Sequence, residues 1–378
     1  MTDVLIIGDS VKSPELRHEV PLAIGDPFLY AEVGGRRHVA VSSLESSRIE
    51  ELGLDLEVHP LEEFDYDAII ARGLPSHELW TEIWVSAARK LGVRDAVVPL
   101  ALPLGHAEAL RAAGIELRVD QLFFDDRRRV KNQTELEGIR RACRAVEAGM
   151  TRALELLRDA DRSNGALTIG GEPLTCERIK AELERVFGKH GAVGDEFIVS
   201  HGAQTAVGHD PGSGQIAAND VVLFDLFPRD RETGCYADFT RTVTVGEAPD
   251  EIREFHRLTR EALDIALAAI RPGVDGKEIH RQVCEFFHAN GQKTQLHKQP
   301  NEVLRDGYYH GTGHGVGLEV HEQPGIGRVG GALVAGDVIA VEPGLYRHGF
   351  GGVRLEDLVL VTEGGGEVLT RFPYDLEL

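Results

Sequence analysis

Val221-Val222-Leu223-Phe224-Asp225 is an apolar run, half of it β-branched, that ends on a carboxylate. Such a run predicts a buried strand, and Asp is a poor strand former. The pattern recurs downstream. Glu342 closes Val338-Ile339-Ala340-Val341, Glu356 ends Val353-Arg354-Leu355, and Asp238 precedes Phe239-Thr240-Arg241-Thr242-Val243. An isolated buried charge costs far more than a fold supplies, so each of these acids must be paired or bound to a cation. Arg241 and Arg354 are the nearby basic side chains, too few for four acids. Divalent metal meets the requirement, and two ions fit four carboxylates better than one. His314, inside the Gly-rich run 311–317, adds an imidazole donor.

Working outward, the chain changes regime near residue 128. Residues 1–128 alternate short apolar runs, read as strands at 4–7, 39–41, 68–70 and 96–98, with helices at 76–91 and 104–113. This rhythm predicts a small α/β domain. Asp125-Asp126-Arg127-Arg128-Arg129 reads as a charged, solvated boundary. Residues 129–378 form a second domain. It opens with Thr134 and Glu137 spaced as a capping box, followed by apolar residues at steps of three and four from Leu136 to Leu157. A helix at 175–190 and strands at 197–200, 221–227 and 239–245 follow. The plan then repeats, with helices at 251–270 and 277–290 and strands near 308–310, 316–320, 338–342 and 358–361. Two helices then strands, twice over, predict an α+β domain of two halves related by a pseudo-twofold. Asp225 and Asp238 then come from one half and His314, Glu342 and Glu356 from the other, a seam of the kind that ligand sites favour.

A formal charge of −21 over 378 residues excludes a nucleic-acid or anionic-membrane partner, both of which want a basic surface. No apolar run approaches the roughly 20 residues that span a bilayer. The start, Met1 to Gly8, lacks a basic segment and reads as a first strand instead of a signal peptide. Cys143, Cys176, Cys235 and Cys284 show no paired spacing, which predicts neither a disulfide framework nor a zinc–thiolate site and suits the cytoplasm.

Several segments, in order, resemble the pita-bread proline-specific metallopeptidases, the Xaa-Pro aminopeptidases and Xaa-Pro dipeptidases (prolidases). They are Ala237-Asp238-Phe239-Thr240-Arg241-Thr242, His310-Gly311-Thr312-Gly313-His314-Gly315-Val316-Gly317-Leu318, Val320-His321-Glu322, Glu342-Pro343-Gly344 and Arg354-Leu355-Glu356-Asp357. The stretch from Phe197 to Asp210 also looks like the family's strand with a substrate-side histidine. The likeness runs from about residue 130 to the end, and the first domain more loosely resembles the family's smaller creatinase-like N-terminal domain. The resemblance implies that Asp225 chelates a first ion, that Asp238 and Glu356 bridge two, and that His314 and Glu342 complete the second. It implies a bridging water or hydroxide as nucleophile, with Glu342 as its proton acceptor. His209 and His321 would face the substrate, His310 would line the same pocket, and Arg354 would orient Asp225. Mostly oxygen donors suit Mn2+ best, with Co2+, Zn2+ or Fe2+ as alternatives. The substrate implied is a proline-containing di- or oligopeptide. A homodimer is expected, the second subunit's N-terminal domain setting substrate length.

One departure stands out. Leu226-Phe227 follow Asp225 where the family has Asp-x-Gly, and the spacing to Asp238 is two residues longer than usual, enlarging the turn at 228–234. The rival readings are a proline-specific carboxypeptidase, another pita-bread hydrolase, and a non-catalytic binding protein of the same fold. The glycines at 311–317 lack the Lys-Ser or Lys-Thr of a phosphate loop and read as permitting close backbone approach beside His314. His18, His38, His59, His77, His106, His190, His256, His280 and His288 lack ligand spacing and read as surface residues.

Overall fold

The computed structural model describes residues 3–378, so Met1 and Thr2 of the opening run lie outside it. The chain falls into two compact units, Met1–Arg128 and Arg129–Leu378.

The first unit is built on a six-stranded mixed sheet. Strand Asp3–Gly8 lies centrally, antiparallel to Phe28–Val33 on one side and parallel to Asp95–Val98 on the other. Arg36–Val41 and Glu57–Pro60 extend one edge, and Glu116–Val119 ends the other. Both faces are covered. Leu5 and Ile7 pack with Trp84, Ala87 and Leu110, whereas Val4 and Ile6 pack with Leu16, Ile49 and Phe124. That burial on both faces explains why the central strand is apolar without alternation. Two expectations are corrected here. Residues 68–70 belong to helix Tyr66–Ile70, because Asp65, in the left-handed conformation, accepts from the Ile69 amide and starts a turn. Strand Phe28–Val33, hidden by its mixed polarity, was not foreseen. The charged stretch at 125–129 closes helix Gln121–Arg129. Arg128 is buried there, and Arg127 bonds Glu19 and Glu32.

In the second unit, helix Gln133–Asp159 carries a continuous buried stripe including Ile139, Ala142, Val146, Met150, Ala153 and Leu157. Its capping box is Asn132 with Glu135, two residues earlier than the Thr134–Glu137 pair. Both pairs have the right spacing. Starting at Asn132 satisfies both reciprocal bonds and adds two residues to the helical ladder. Helix Cys176–Lys189 packs beside it; Gly149 permits the approach, since a Cβ there would lie 2.6 Å from the Phe187 ring. Helices Asp250–Ala269 and Gly276–Ala289 form the second pair.

The strands form a three-stranded antiparallel sheet, Ile198–His201, Val221–Asp225 and Thr240–Thr244, and a five-stranded one with Val338–Val341 at its centre. Alternation along the central strand assigns the helix pairs. Val338 and Ala340 join the core of the first pair, and Ile339 and Val341 that of the second. Leu358 and Leu360 against Val359 and Val361 repeat this in Asp357–Thr362. The expected strands at 308–310 and 316–320 are absent; pairing instead involves Gly313–Gly315 and Glu322–Ile326. The hairpin of Gly344–Arg347 with Gly351–Arg354 was likewise unforeseen. Among the described residues, no helix is long and apolar enough to cross a membrane.

Candidate metal centre

Strand register brings the acids together. Asp225 ends its strand opposite Thr240, two residues beyond Asp238. Val341 pairs with Asp357, so the flanking Glu342 and Glu356 extend from neighbouring strands of the other sheet. Thr240 stitches the two sheets: its carbonyl accepts from the Glu356 amide at 3.0 Å, and its hydroxyl donates to Glu356 Oε2 at 2.6 Å. Thr242 ties the first sheet to the strand Gly351–Arg354, bonding both the amide and the carbonyl of Arg354 at 3.1 and 2.9 Å.

His314 sits on Gly313–Gly315, squeezed between Val338–Val341 and Glu322–Ile326. The neighbouring glycines are required by space. A Cβ on Gly313 would stand 1.9 Å from the Ala340 carbonyl oxygen, and one on Gly315 2.2 Å from that of Gln323. His314 Nδ1 donates to the Gly315 carbonyl at 3.1 Å. The lone pair of the neutral ring is therefore on Nε2, which faces Asp238 Oδ2 at 3.7 Å and Glu342 Oε1 at 3.8 Å. Burial, then the neighbouring His321, pushes the His314 imidazolium down to about 4, so the ring is neutral at physiological pH. Donor atoms of Asp238, His314 and Glu356 all lie within 4.8 Å of one another.

The carboxylates are short of positive charge. Burial, then Glu356, Asp225 and Glu342, holds the Asp238 carboxyl well above its usual range. Glu356 is raised by burial, Asp225 and Glu342 in the same way. Glu342 is pushed up to about 7 by burial, which Arg354 opposes and Asp225 reinforces. Among the described residues, Arg354 is the one guanidinium that serves the cluster: Nη2 donates to Asp225 at 2.5 Å, Nη1 to the Tyr346 hydroxyl at 3.1 Å, and Nε lies 4.0 Å from Glu342. Arg241, the other basic candidate, turns away. It is buried against Asp357 at 2.9 Å, a residue outside the cluster. Four carboxylates with a single guanidinium, beside an imidazole whose lone pair points at them, fit divalent cations and little else.

The three further histidines occupy different positions. His209 and His321 are exposed at the open side, and His321 stacks edge-on against His314 with ring centroids 4.2 Å apart. The loop bearing His209 is held down at Gly212, where φ is +76° and a Cβ would lie 1.8 Å from the Val199 carbonyl oxygen. His310 has both ring nitrogens engaged: Nδ1 donates to the Gly311 carbonyl at 2.7 Å and Nε2 accepts from Tyr346 at 2.9 Å. It offers a ligand its ring edge and face, without a free nitrogen. Four contributors were given no role in the sequence reading. Tyr346 links His310 to Arg354 but has no distinguishing local pattern. Thr312 accepts from the Glu342 amide while its hydroxyl meets His280 and Tyr308. Lys131 and Glu322 form a buried pair beside His321, although nearly two hundred residues separate them.

A donor set of this make-up is that of a divalent-metal site. Residues 137–363 match the model of metallopeptidase family M24, and the chain belongs to that family. Among curated relatives, the Xaa-Pro dipeptidase of Pyrococcus furiosus is 31% identical over 255 residues, covering 66% of each chain. The uncharacterized peptidase YqhT of Bacillus subtilis is 35% identical over 199 residues, 52% of each. The aligned part of the chain thus spans about half to two thirds of these relatives. An Xaa-Pro dipeptidase from Bacillus anthracis superimposes with a TM-score of 0.79 at 22% identity, covering 100% of this chain and 95% of that one. An X-Pro aminopeptidase from Thermotoga maritima gives 0.78 at 23% identity, covering 99% and 97%. The expected fold, a pita-bread catalytic domain preceded by a smaller N-terminal domain, is the one found.

Proposed function

We propose that this chain is an exopeptidase that hydrolyses Xaa-Pro bonds in short peptides with two divalent ions, Mn2+ by preference. The carrying observation is the excess of buried carboxylate around His314, answered by Arg354 alone. The names of its relatives support the choice of bond. Asp225, Asp238, His314, Glu342 and Glu356 would hold the metal. When bound, such ions polarise the scissile carbonyl and lower the pKa of water. The side chains do the rest. Glu342, between His314 and Arg354, takes the proton released on attack, a general-base role open to a carboxylate within reach. Exposed His209 and His321 meet the peptide, donating to the developing oxyanion or to the leaving nitrogen. An Xaa-Pro bond has no N–H and a fixed φ, so recognition by strand pairing fails and a site that polarises the carbonyl directly is needed. Arg354 keeps Asp225 in place, and Tyr346 transmits that hold to His310.

The four free, buried cysteines favour a reducing compartment, and we assign the enzyme to the cytoplasm. We also propose a homodimer. The deciding experiment offers Ala-Pro, longer Ala-Pro peptides and N-blocked analogues to protein loaded with Mn2+, Co2+ or Zn2+, with products read by mass spectrometry. Cleavage of free Xaa-Pro substrates is expected, dipeptides alone marking a dipeptidase and longer chains an aminopeptidase. Cleavage confined to blocked peptides ending in proline would make it a carboxypeptidase, and no cleavage by metal-replete protein would overturn the assignment.

A further inference from the structure

A second cluster lies on the sheet of the first unit, remote in sequence from the centre above. Strands Arg36–Val41 and Glu57–Pro60 run parallel, with His38 opposite Glu57 and Ala40 opposite His59. Paired residues and residues two apart share a face, so His38, Glu57 and His59 project together. His38 Nδ1 is 3.2 Å from His59 Nε2 and 3.3 Å from Glu57 Oε2. All three donor atoms lie within 4.8 Å of one another. Two of these distances match the edge of a tetrahedron whose metal–ligand bonds are about 2.0–2.1 Å, an edge of roughly 3.3 Å. The third can close through a rotation of the Glu57 side chain, which is 46% exposed.

The surroundings orient the donors toward one another. His59 Nδ1 meets the Glu63 carboxylate at 2.9 Å. An ionised carboxylate only accepts, so the proton of neutral His59 lies on Nδ1 and its Nε2 lone pair points at His38. This carboxylate–histidine arrangement commonly backs metal-binding imidazoles. Glu57 Oε1 is held by Arg36 at 3.3 Å, which leaves Oε2 for the cluster. A hydrogen-bonded explanation is awkward. It would share one proton on His38 Nδ1 between His59 Nε2 and Glu57 Oε2, whereas a cation meets all three atoms. The edge of the Phe64 ring walls one side of His59, with centroids 5.9 Å apart.

We propose that His38, Glu57 and His59 bind a zinc-class divalent ion, with a fourth coordination position open to water. Two imidazoles and a carboxylate suit zinc. The ion ties the four-residue edge strand to its neighbour, clamping the connection between residues 38 and 59. The inference stands independently of the peptidase assignment.

The test uses the untagged full chain carrying Asp238→Asn and Glu356→Gln, which disable the other centre. Metal-stripped protein is titrated with Zn2+ by calorimetry, and bound zinc is counted by elemental analysis after gel filtration. About one zinc per chain is expected, falling to none with His59→Asn and with Glu57→Gln. Both substitutions are partly exposed and spare buried His38, and circular dichroism verifies that each variant is folded. In the otherwise wild-type chain, His59→Asn should remove one equivalent and leave peptidase turnover unchanged. Zinc content that is equal in the background chain and in both folded variants overturns the site, as does a background chain that takes up none.

Discussion

Replacing Arg241 with methionine should destabilise the second unit by about 3–5 kcal/mol, and a further Asp357→Asn change should restore part of that loss. Arg241 is 2% exposed and Asp357 is fully buried. The guanidinium makes five hydrogen bonds: to Asp357, to the carbonyls of Thr240 and Glu356, and to those of Phe372 and Pro373. It also lies over the rings of Phe239 and Tyr374, 4.4 and 4.1 Å from their centroids. Methionine fills the volume but leaves the Asp357 charge with only the hydroxyls of Thr370 and Tyr374. Asparagine removes that charge; its Oδ1 accepts from one hydroxyl and its Nδ2 donates to the oxygen of the other, so the double variant should be more stable than Arg241→Met alone. At roughly 2–4 °C per kcal/mol for a unit of this size, the single change lowers Tm by about 6–20 °C. Calorimetry and urea unfolding of all four forms close the cycle. Metal affinity should fall as well, because Arg241 holds the carbonyl of Glu356 at 2.6 Å. A single-variant loss below about 1 kcal/mol, or a double variant no better than the single, would refute the reasoning.

Other expectations are as direct. Gly313→Ala should break the strand pairing beside His314, since its Cβ would lie 1.9 Å from a carbonyl oxygen, and metal content measured by elemental analysis should drop with activity. Arg354→Lys cannot reproduce a fork that reaches Asp225, Tyr346 and Thr240 together, so kcat/KM should fall roughly 10- to 100-fold; unchanged kinetics would contradict its positioning role. His201 is bonded to Asp220 at 2.7 Å, which raises its pKa against the opposing effect of burial. A raised folded-state pKa contributes stability that is complete below the unfolded value of about 6.5 and disappears as pH rises through the folded one. The stability gap between wild type and Asp220→Asn, read from urea midpoints, should therefore be larger near pH 6 than near pH 9. Chelation should lower Tm and abolish activity, and returning Mn2+ at 100 times its Kd should restore about 2.7 kcal/mol per site.

Much of the second unit is written locally. The stripe from Ile139 to Leu157 announces a helix because one face repeats every turn, and apolar runs ending in acids announce strands that meet a charged site. Local pattern misled where two signals had equal strength, as with the two capping-box spacings, or where none existed. Gly313–Gly315 is a strand made of two glycines and a histidine, which propensity would never choose; its neighbours dictate it. His38 looked like a surface residue because its partners, Glu57 and His59, arrive only through parallel strand pairing.

Residue chemistry and short-range periodicity alone determined that this chain sets acids at the ends of buried strands and therefore calls for cations. Tertiary structure decided how the charges are shared: Arg354 goes to Asp225, whereas Arg241, although adjacent to the cluster in sequence, goes to Asp357. Backbone periodicity acts over a few residues and is legible in any window. Coulomb and hydrogen-bond partners are set by distances in space, between groups more than a hundred positions apart, and exist only once the sheets have closed on one another.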